Sequence, residues 1–120
     1  MTVRRLKTYT GTQGYVYQYY FVGSRPALAG SQGSAATEYV FDVTSDRKTT
    51  FSVSVFLEQD AVSNWAGSHR RQLTDAERYA AAKLRLFHAF DEIENMMADG
   101  RSLRVDCPAL ENLLIEVGVT

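Results

Sequence analysis

Cysteine, proline and histidine are scarce in this chain, which has one, two and two of them among 120 residues. A single cysteine, Cys107, excludes an intrachain disulfide and leaves a cysteine-based zinc site without enough ligands. No apolar run approaches the roughly 20 residues that span a bilayer. The residues after the early arginines are too mixed for the apolar core of an export signal. These absences predict a cytoplasmic protein with no membrane segment, metal or cofactor.

The charge of the chain is nearly balanced. Lys and Arg number 13 and Asp and Glu number 14, which gives a formal net charge of -1. Such a balance provides no overall attraction to nucleic acid or to anionic lipid, so any binding of this kind has to be local. The length fits one domain over residues 1–120, and a chain of this size buries enough surface to need no metal or disulfide.

The first half of the chain has the period-two pattern of half-buried antiparallel strands, with aromatic and β-branched residues in short runs. The predicted strands cover residues 3–9, 15–22, 38–44 and 49–57. The segment 23–36 is rich in glycine, serine and alanine, and it predicts a flexible surface loop between the second and third strands.

The second half of the chain has helical spacing of its apolar residues. The predicted helices cover residues 58–66, 74–97 and 108–117, and a short fifth strand covers residues 102–106. Thr74 and Glu77 have the spacing of a capping box, which marks the start of the long helix. The order β-β-β-β-α-α-β-α predicts an α+β two-layer sandwich in which a four-stranded antiparallel meander packs against helices.

Alternation along the strands predicts which face the helices cover. One apolar row should meet the helices, and it comprises Tyr39, Phe41, Val43, Phe51, Val53, Val55 and Leu57. The opposite face then retains Val16, Tyr20, Val22 and Phe56 among small hydroxyl residues. This composition is typical of a protein interface, and it predicts self-association as a homodimer. The alternative is scattered surface exposure, which is normal for single apolar residues.

No catalytic grouping is recognisable, and no catalytic residue is predicted. A hydrolase needs a nucleophile in a setting such as a Gly-x-Ser-x-Gly turn, which the chain does not contain. His88 has Asp91 and Glu92 on neighbouring turns, a spacing that suits either a cation or ordinary ion pairing. Cys107 precedes a proline at a helix start, where either a reactive thiolate or a packed thiol is expected. An enzyme of unrecognised type using His69 or His88 stays as an alternative.

A local basic cluster, formed by His69, Arg70 and Arg71, lies between the first two predicted helices. With tyrosines as stacking surfaces it suggests single-stranded nucleic-acid binding as a second hypothesis. The leading hypothesis is a non-enzymatic protein-interaction module of the regulatory, adaptor or inhibitor type. Its basis is seven tyrosines, six phenylalanines and one tryptophan, which is more aromatic surface than two thin layers are expected to hide.

Overall fold

The computed structural model of the protein describes residues 6–12, 14–29 and 33–119. Its elements follow the order β1 (Lys7–Thr10), β2 (Val16–Ala29), β3 (Ser34–Thr44), β4 (Phe51–Glu58), α1 (Gln59–His69), α2 (Asp75–Glu92), α3 (Met96–Asp99), β5 (Ser102–Val105) and α4 (Cys107–Glu116). The predicted α+β class is confirmed, with the helices packed against one sheet.

The sheet has five strands in the order β1-β2-β3-β4-β5. Strands β1 to β4 form the predicted antiparallel meander. Strand β5 is parallel to β4, with Val55 opposite Leu103 and Leu57 opposite Val105. A parallel pair needs a long crossover, and the segment with α1, α2 and α3 supplies it. Among the described residues the first strand begins at Lys7 and ends at Thr10, and positions 3–5 of the predicted strand lie outside the described residues.

The predicted loop at 23–36 is wrong in its bounds. Strand β2 continues to Ala29 and β3 begins at Ser34, so most of this segment is a hairpin extending the sheet. Pairing with β3 outweighs the low strand propensity of glycine and proline here. Pro26 is tolerated because β1 pairs with β2 only as far as Tyr19, which leaves that side of Pro26 unpaired among the described strands. Positions 30–32 lie outside the described residues, and the flexibility of the segment stays a prediction.

The long helix begins as predicted and ends earlier. Thr74 accepts a hydrogen bond from the backbone of Glu77 at 3.1 Å, and the Glu77 carboxylate accepts one from the backbone of Thr74 at 2.9 Å, which completes the capping box. The helix ends at Glu92, not at residue 97, because Ile93 takes an extended conformation. Asn95 then caps α3 by accepting a hydrogen bond from the Ala98 backbone.

The first helix is longer than predicted. Gly67 does not end α1, which continues to His69 and is terminated by Arg70 in the left-handed conformation, with φ 57°. The last helix starts at Cys107, one residue before the predicted start at Pro108. Among the described residues, no helix has the length and apolar character needed to cross a membrane.

The core lies between the helices and one face of the sheet. Phe41, Val43, Val53 and Val55 are 0% exposed there, as the alternation predicts. Helices α1, α2 and α4 bury their apolar residues in the same cluster. Tyr17 stacks on Phe90 of α2 with ring centres 4.2 Å apart, which fastens the long helix to β2.

Candidate functional site

The face of the sheet that is turned away from the helices carries most of the residues that the sequence suggested for an interface. The buried side chains of β3 and β4 that join the core all point to the helical side, and no described helix buries its apolar residues on the other side. We call the side facing the helices the inner face and the other side the outer face. Alternation from the core positions places Tyr20, Val40 and Phe56 on the outer face.

A β-bulge shapes the outer face at Val22. Phe21 pairs with Phe41 and Gly23 pairs with Val40, so Val22 is the extra residue between two successive pairs. Val22 is 42% exposed, and together with Val40 it lines a shallow pocket of about 230 Å³.

An apolar diagonal crosses three strands of the outer face, and we use this name for Tyr20, Val22, Val40 and Phe56. Tyr20 and Val22 belong to β2, Val40 to β3 and Phe56 to β4. Tyr20, Val40 and Phe56 are half-buried. Val16, the fourth predicted interface residue, is 46% exposed. It pairs with Thr10 at the start of β2, and Gln18 separates it from Tyr20, so Val16 is not part of the apolar diagonal.

Glu38 borders the apolar diagonal, opposite Phe56. Its carboxylate accepts hydrogen bonds from Arg25 Nε at 2.7 Å and from Ser54 Oγ at 2.6 Å. These bonds hold the pKa of Glu38 below its ordinary value, the bond from Arg25 having the largest effect, although burial opposes them. Glu38 is only 8% exposed, so a buried charge on this face is compensated within the chain.

The other acids of the outer face are also compensated. Asp42 accepts a hydrogen bond from the Tyr20 hydroxyl at 2.6 Å and a longer one from Ser52 at 3.4 Å. Glu58 accepts from Arg104 at 2.6 Å. The strand positions of this face therefore carry two arginines, Arg25 and Arg104, against three carboxylates. The described strand positions of this face have no excess of positive charge.

The basic cluster predicted for nucleic acid is mostly engaged in internal contacts. The imidazole of His69 stacks on Trp65 with ring centres 4.2 Å apart, and its Nε2 lies 3.2 Å from Glu111. The guanidinium of Arg71 also lies over Trp65, with its Cζ 4.9 Å from the ring centre. Both terminal nitrogens of Arg71 donate hydrogen bonds to Glu77. Of the three residues, only Arg70 has a side chain with no acidic partner among the described residues.

The three residues suggested for a cation, His88, Asp91 and Glu92, do not form one ligand group in the described structure. His88 Nε2 lies 2.9 Å from Glu116 of α4. Asp91 instead accepts from the Tyr9 hydroxyl at 2.7 Å and from the Thr12 backbone at 2.9 Å. The described part of the chain contains no group of three His, Cys, Asp or Glu side chains arranged to hold a metal ion.

The groove beside His88 does not collect both histidines and the cysteine. It has a volume of about 320 Å³ and is lined by Arg85, Glu92 and residues of α4, but by neither His69 nor Cys107. Cys107 is half-buried at the first position of α4. Comparisons with protein-family models, with curated proteins and with solved structures found no match to this chain.

Sequence reasoning missed Val40 and the pairing of Glu38 with Arg25. Glu38, Val40 and Asp42 share one parity, so alternation alone places Val40 on the outer face between two acids. The role of Arg25 was not predicted, because this residue lies in the segment that was predicted to be a loop. Its approach to Glu38 depends on the extended hairpin and on the register that follows the bulge.

Proposed function

We propose that the protein is a non-enzymatic protein-interaction module, and that its apolar diagonal binds a second copy of the same chain face to face. The observation that carries the proposal is an apolar stripe across three strands, bordered by acids that already have partners within the chain. An apolar centre with a polar rim is the usual composition of a protein interface.

The internal pairing of the acids favours association. Burying an unpaired charge costs several kcal/mol, whereas Glu38 is already mostly buried and hydrogen-bonded before any partner arrives. The aromatic rings of Tyr20 and Phe56 offer the kind of side chain that contributes most of the binding energy at interfaces. A two-fold axis through Val40 would place the same stripe on both sides of the contact, as a closed dimer requires.

The size of the outer face also suits a dimer. The five strands lie about 4.8 Å apart and have 4, 14, 11, 8 and 4 residues, so with a mean length of about eight residues they span a face of about 600 Å². Stable interfaces bury about 800 Å² of accessible surface per partner. That area includes the surface of protruding side chains, which the estimate for a flat sheet leaves out. The charges at the described positions of this face and the engagement of His69 and Arg71 favour a protein partner over a phosphate backbone.

Sedimentation velocity over a range of concentrations tests the proposal. Wild type should sediment as a dimer, and a Val22→Lys, Phe56→Lys double variant should be a folded monomer, because two ammonium groups would have to be desolvated at the centre of the contact. Tyr20 is left unchanged because its hydroxyl bonds to Asp42. The matched control is Ile115→Lys, which changes a 65% exposed residue of α4 in the helical layer.

The outcomes separate cleanly when circular dichroism confirms that each variant is folded. A dimer that survives in Ile115→Lys and dissociates in the double variant supports the apolar diagonal as the contact. A wild type that remains monomeric at every concentration, or a double variant that remains dimeric, overturns the proposal.

A further inference from the structure

A pocket of about 600 Å³ lies on the side of the sheet opposite to the outer face. It is bounded by the start of β2, the turn between β3 and β4 and the segment that joins α2 to α3. Three aromatic residues line it, namely Tyr15, Tyr17 and Phe51, together with the thioethers of Met96 and Met97. Its size lies within the range of pockets that hold small molecules.

Tyr17 is a nearly buried wall of this pocket. It is 3% exposed, and its ring is stacked on Phe90 with an angle of 7° between the planes. The hydroxyl of Tyr17 nevertheless has no hydrogen-bond partner among the described residues. A polar group that is nearly buried, held rigidly and unpartnered at a pocket wall is available to a ligand.

The charged side chains that line the pocket are all acidic among the described residues. They are Glu94 and Asp99, and neither carboxylate has an ion pair with a described residue. No lysine or arginine of the described segments lines the pocket. The amide oxygen of Asn95 caps α3 by accepting a hydrogen bond from the Ala98 backbone. The pocket therefore combines aromatic faces with two uncompensated negative charges.

We propose that this pocket binds a small aliphatic polyamine. Aromatic faces attract ammonium groups through their negative π surface. The two carboxylates add Coulomb attraction, and the Tyr17 hydroxyl oxygen accepts a hydrogen bond from an ammonium N–H. Two carboxylates match a ligand with at least two positive charges, whereas the thioether and aromatic walls accommodate the methylene chain between them. No group of three His, Cys, Asp or Glu side chains is arranged to hold a metal ion among the described residues of this pocket.

The first experiment is a titration of the full chain with spermidine and putrescine at low ionic strength, followed by calorimetry and by amide chemical shifts. Butanediol is the neutral control, because it keeps the carbon chain of putrescine and lacks its charges. Saturable binding of the amines, with shifts at Tyr15, Tyr17 and Met97, is the expected result, and salt should weaken it. Equal binding of butanediol, or no binding of either amine, overturns the proposal.

Variants locate the site. Glu94→Gln and Asp99→Asn should each weaken spermidine binding about two- to five-fold, the effect of one exposed ion pair. Tyr15→Leu, at a residue that is 45% exposed, should weaken it about two- to five-fold by removing an aromatic face. Asp60→Asn, an exposed acid in the first turn of α1, is the control and should bind as wild type. Loss of binding in Asp60→Asn to the same extent would show attraction by overall charge and would reject the pocket.

This inference is independent of the proposed dimer. The double variant Val22→Lys, Phe56→Lys changes only the outer face, so it should bind spermidine as wild type does. A protein that is monomeric and binds spermidine would contradict the dimer alone, and a dimer without spermidine binding would contradict the pocket alone.

Discussion

The inner and outer faces of the sheet are made by alternate residues of the same strands, yet different interactions fix them. Phe41 and Val53 of the inner face are 0% exposed, and packing volume determines what fits there. The outer face is held by pairs of polar groups, such as Arg25 with Glu38 and Arg104 with Glu58. A sheet covered by helices on one side only therefore has one face stabilised by apolar packing and one face stabilised by polar pairs, and each is disrupted by a different change.

The largest expected effect comes from comparing the same change, phenylalanine to alanine, at one position on each face. Phe41→Ala should lower the free energy of unfolding by about 3–5 kcal/mol, since it leaves a cavity in a core that cannot collapse fully. Phe56→Ala on the neighbouring strand should lower it by about 1 kcal/mol, because the ring is only half-buried. Urea unfolding at dilute protein concentration, where association does not contribute, measures both. Equal losses would show that the two faces are not distinct.

The second effect concerns the buried carboxylate of the outer face. Glu38→Gln should cost about 1.5 kcal/mol at neutral pH, because the charged hydrogen bonds from Arg25 and Ser54 are weakened. The pKa of Glu38 is lowered in the folded state from an ordinary value of 4.5. Its contribution to stability is therefore complete above pH 4.5 and is lost as the pH falls through the lowered folded-state pKa.

Urea unfolding of wild type and Glu38→Gln across this pH range tests the assignment. The difference between them should shrink in acid. Glu92→Gln provides the control, because this exposed acid has no hydrogen-bond or ion-pair partner among the described residues. A difference that persists unchanged at acid pH would mean that Glu38 acts by packing and not by its charge.

The sequence contained most of the inner face and little of the outer one. Period-two alternation predicted the row from Phe51 to Leu57, and the capping box predicted where α2 starts, because both depend on neighbours in the chain. The loop at 23–36 was predicted from composition and proved to be strand over most of its length, because pairing with β3 is a long-range interaction that composition does not report. The sequence pattern also did not indicate which strand pairs with β5, because its pairing with β4 is a long-range interaction too.

The candidate sites follow the same rule. Tyr20 and Phe56 were identified by parity, but the bulge at Val22 and the contribution of Val40 depend on register. The polyamine pocket joins Tyr17 to residues 94–99, which lie far apart in the chain. Only the early end of α2 at Glu92 places Glu94 and Asn95 in a connecting segment, and the asparagine that caps α3 was the available signal for that break.

The smallest expected effect tests the helical layer that makes one face inner. Thr74→Ala removes the cap of α2, and it should lower the free energy of unfolding by about 1 kcal/mol, because the Glu77 backbone N–H loses its acceptor. Thr8→Ala is the matched control on the outer face. Thr8 is exposed and its side chain makes no hydrogen bond among the described residues, so this change should stay within about 0.5 kcal/mol.

The pH dependence of Thr74→Ala sharpens the test further. The bond from Arg71, followed by the backbone bond from Thr74, lowers the pKa of Glu77 from 4.5 to about 2. The stabilisation due to this carboxylate is therefore present above pH 4.5 and lost between pH 4.5 and about 2. In Thr74→Ala the bond from the residue-74 backbone to Glu77 can persist, so acid should still destabilise this variant, whereas Glu77→Gln should remove that part of the acid dependence. If Thr74→Ala and Thr8→Ala unfold alike by urea, the cap does not secure α2, and packing on Tyr17 and Phe41 alone holds the helix to the inner face.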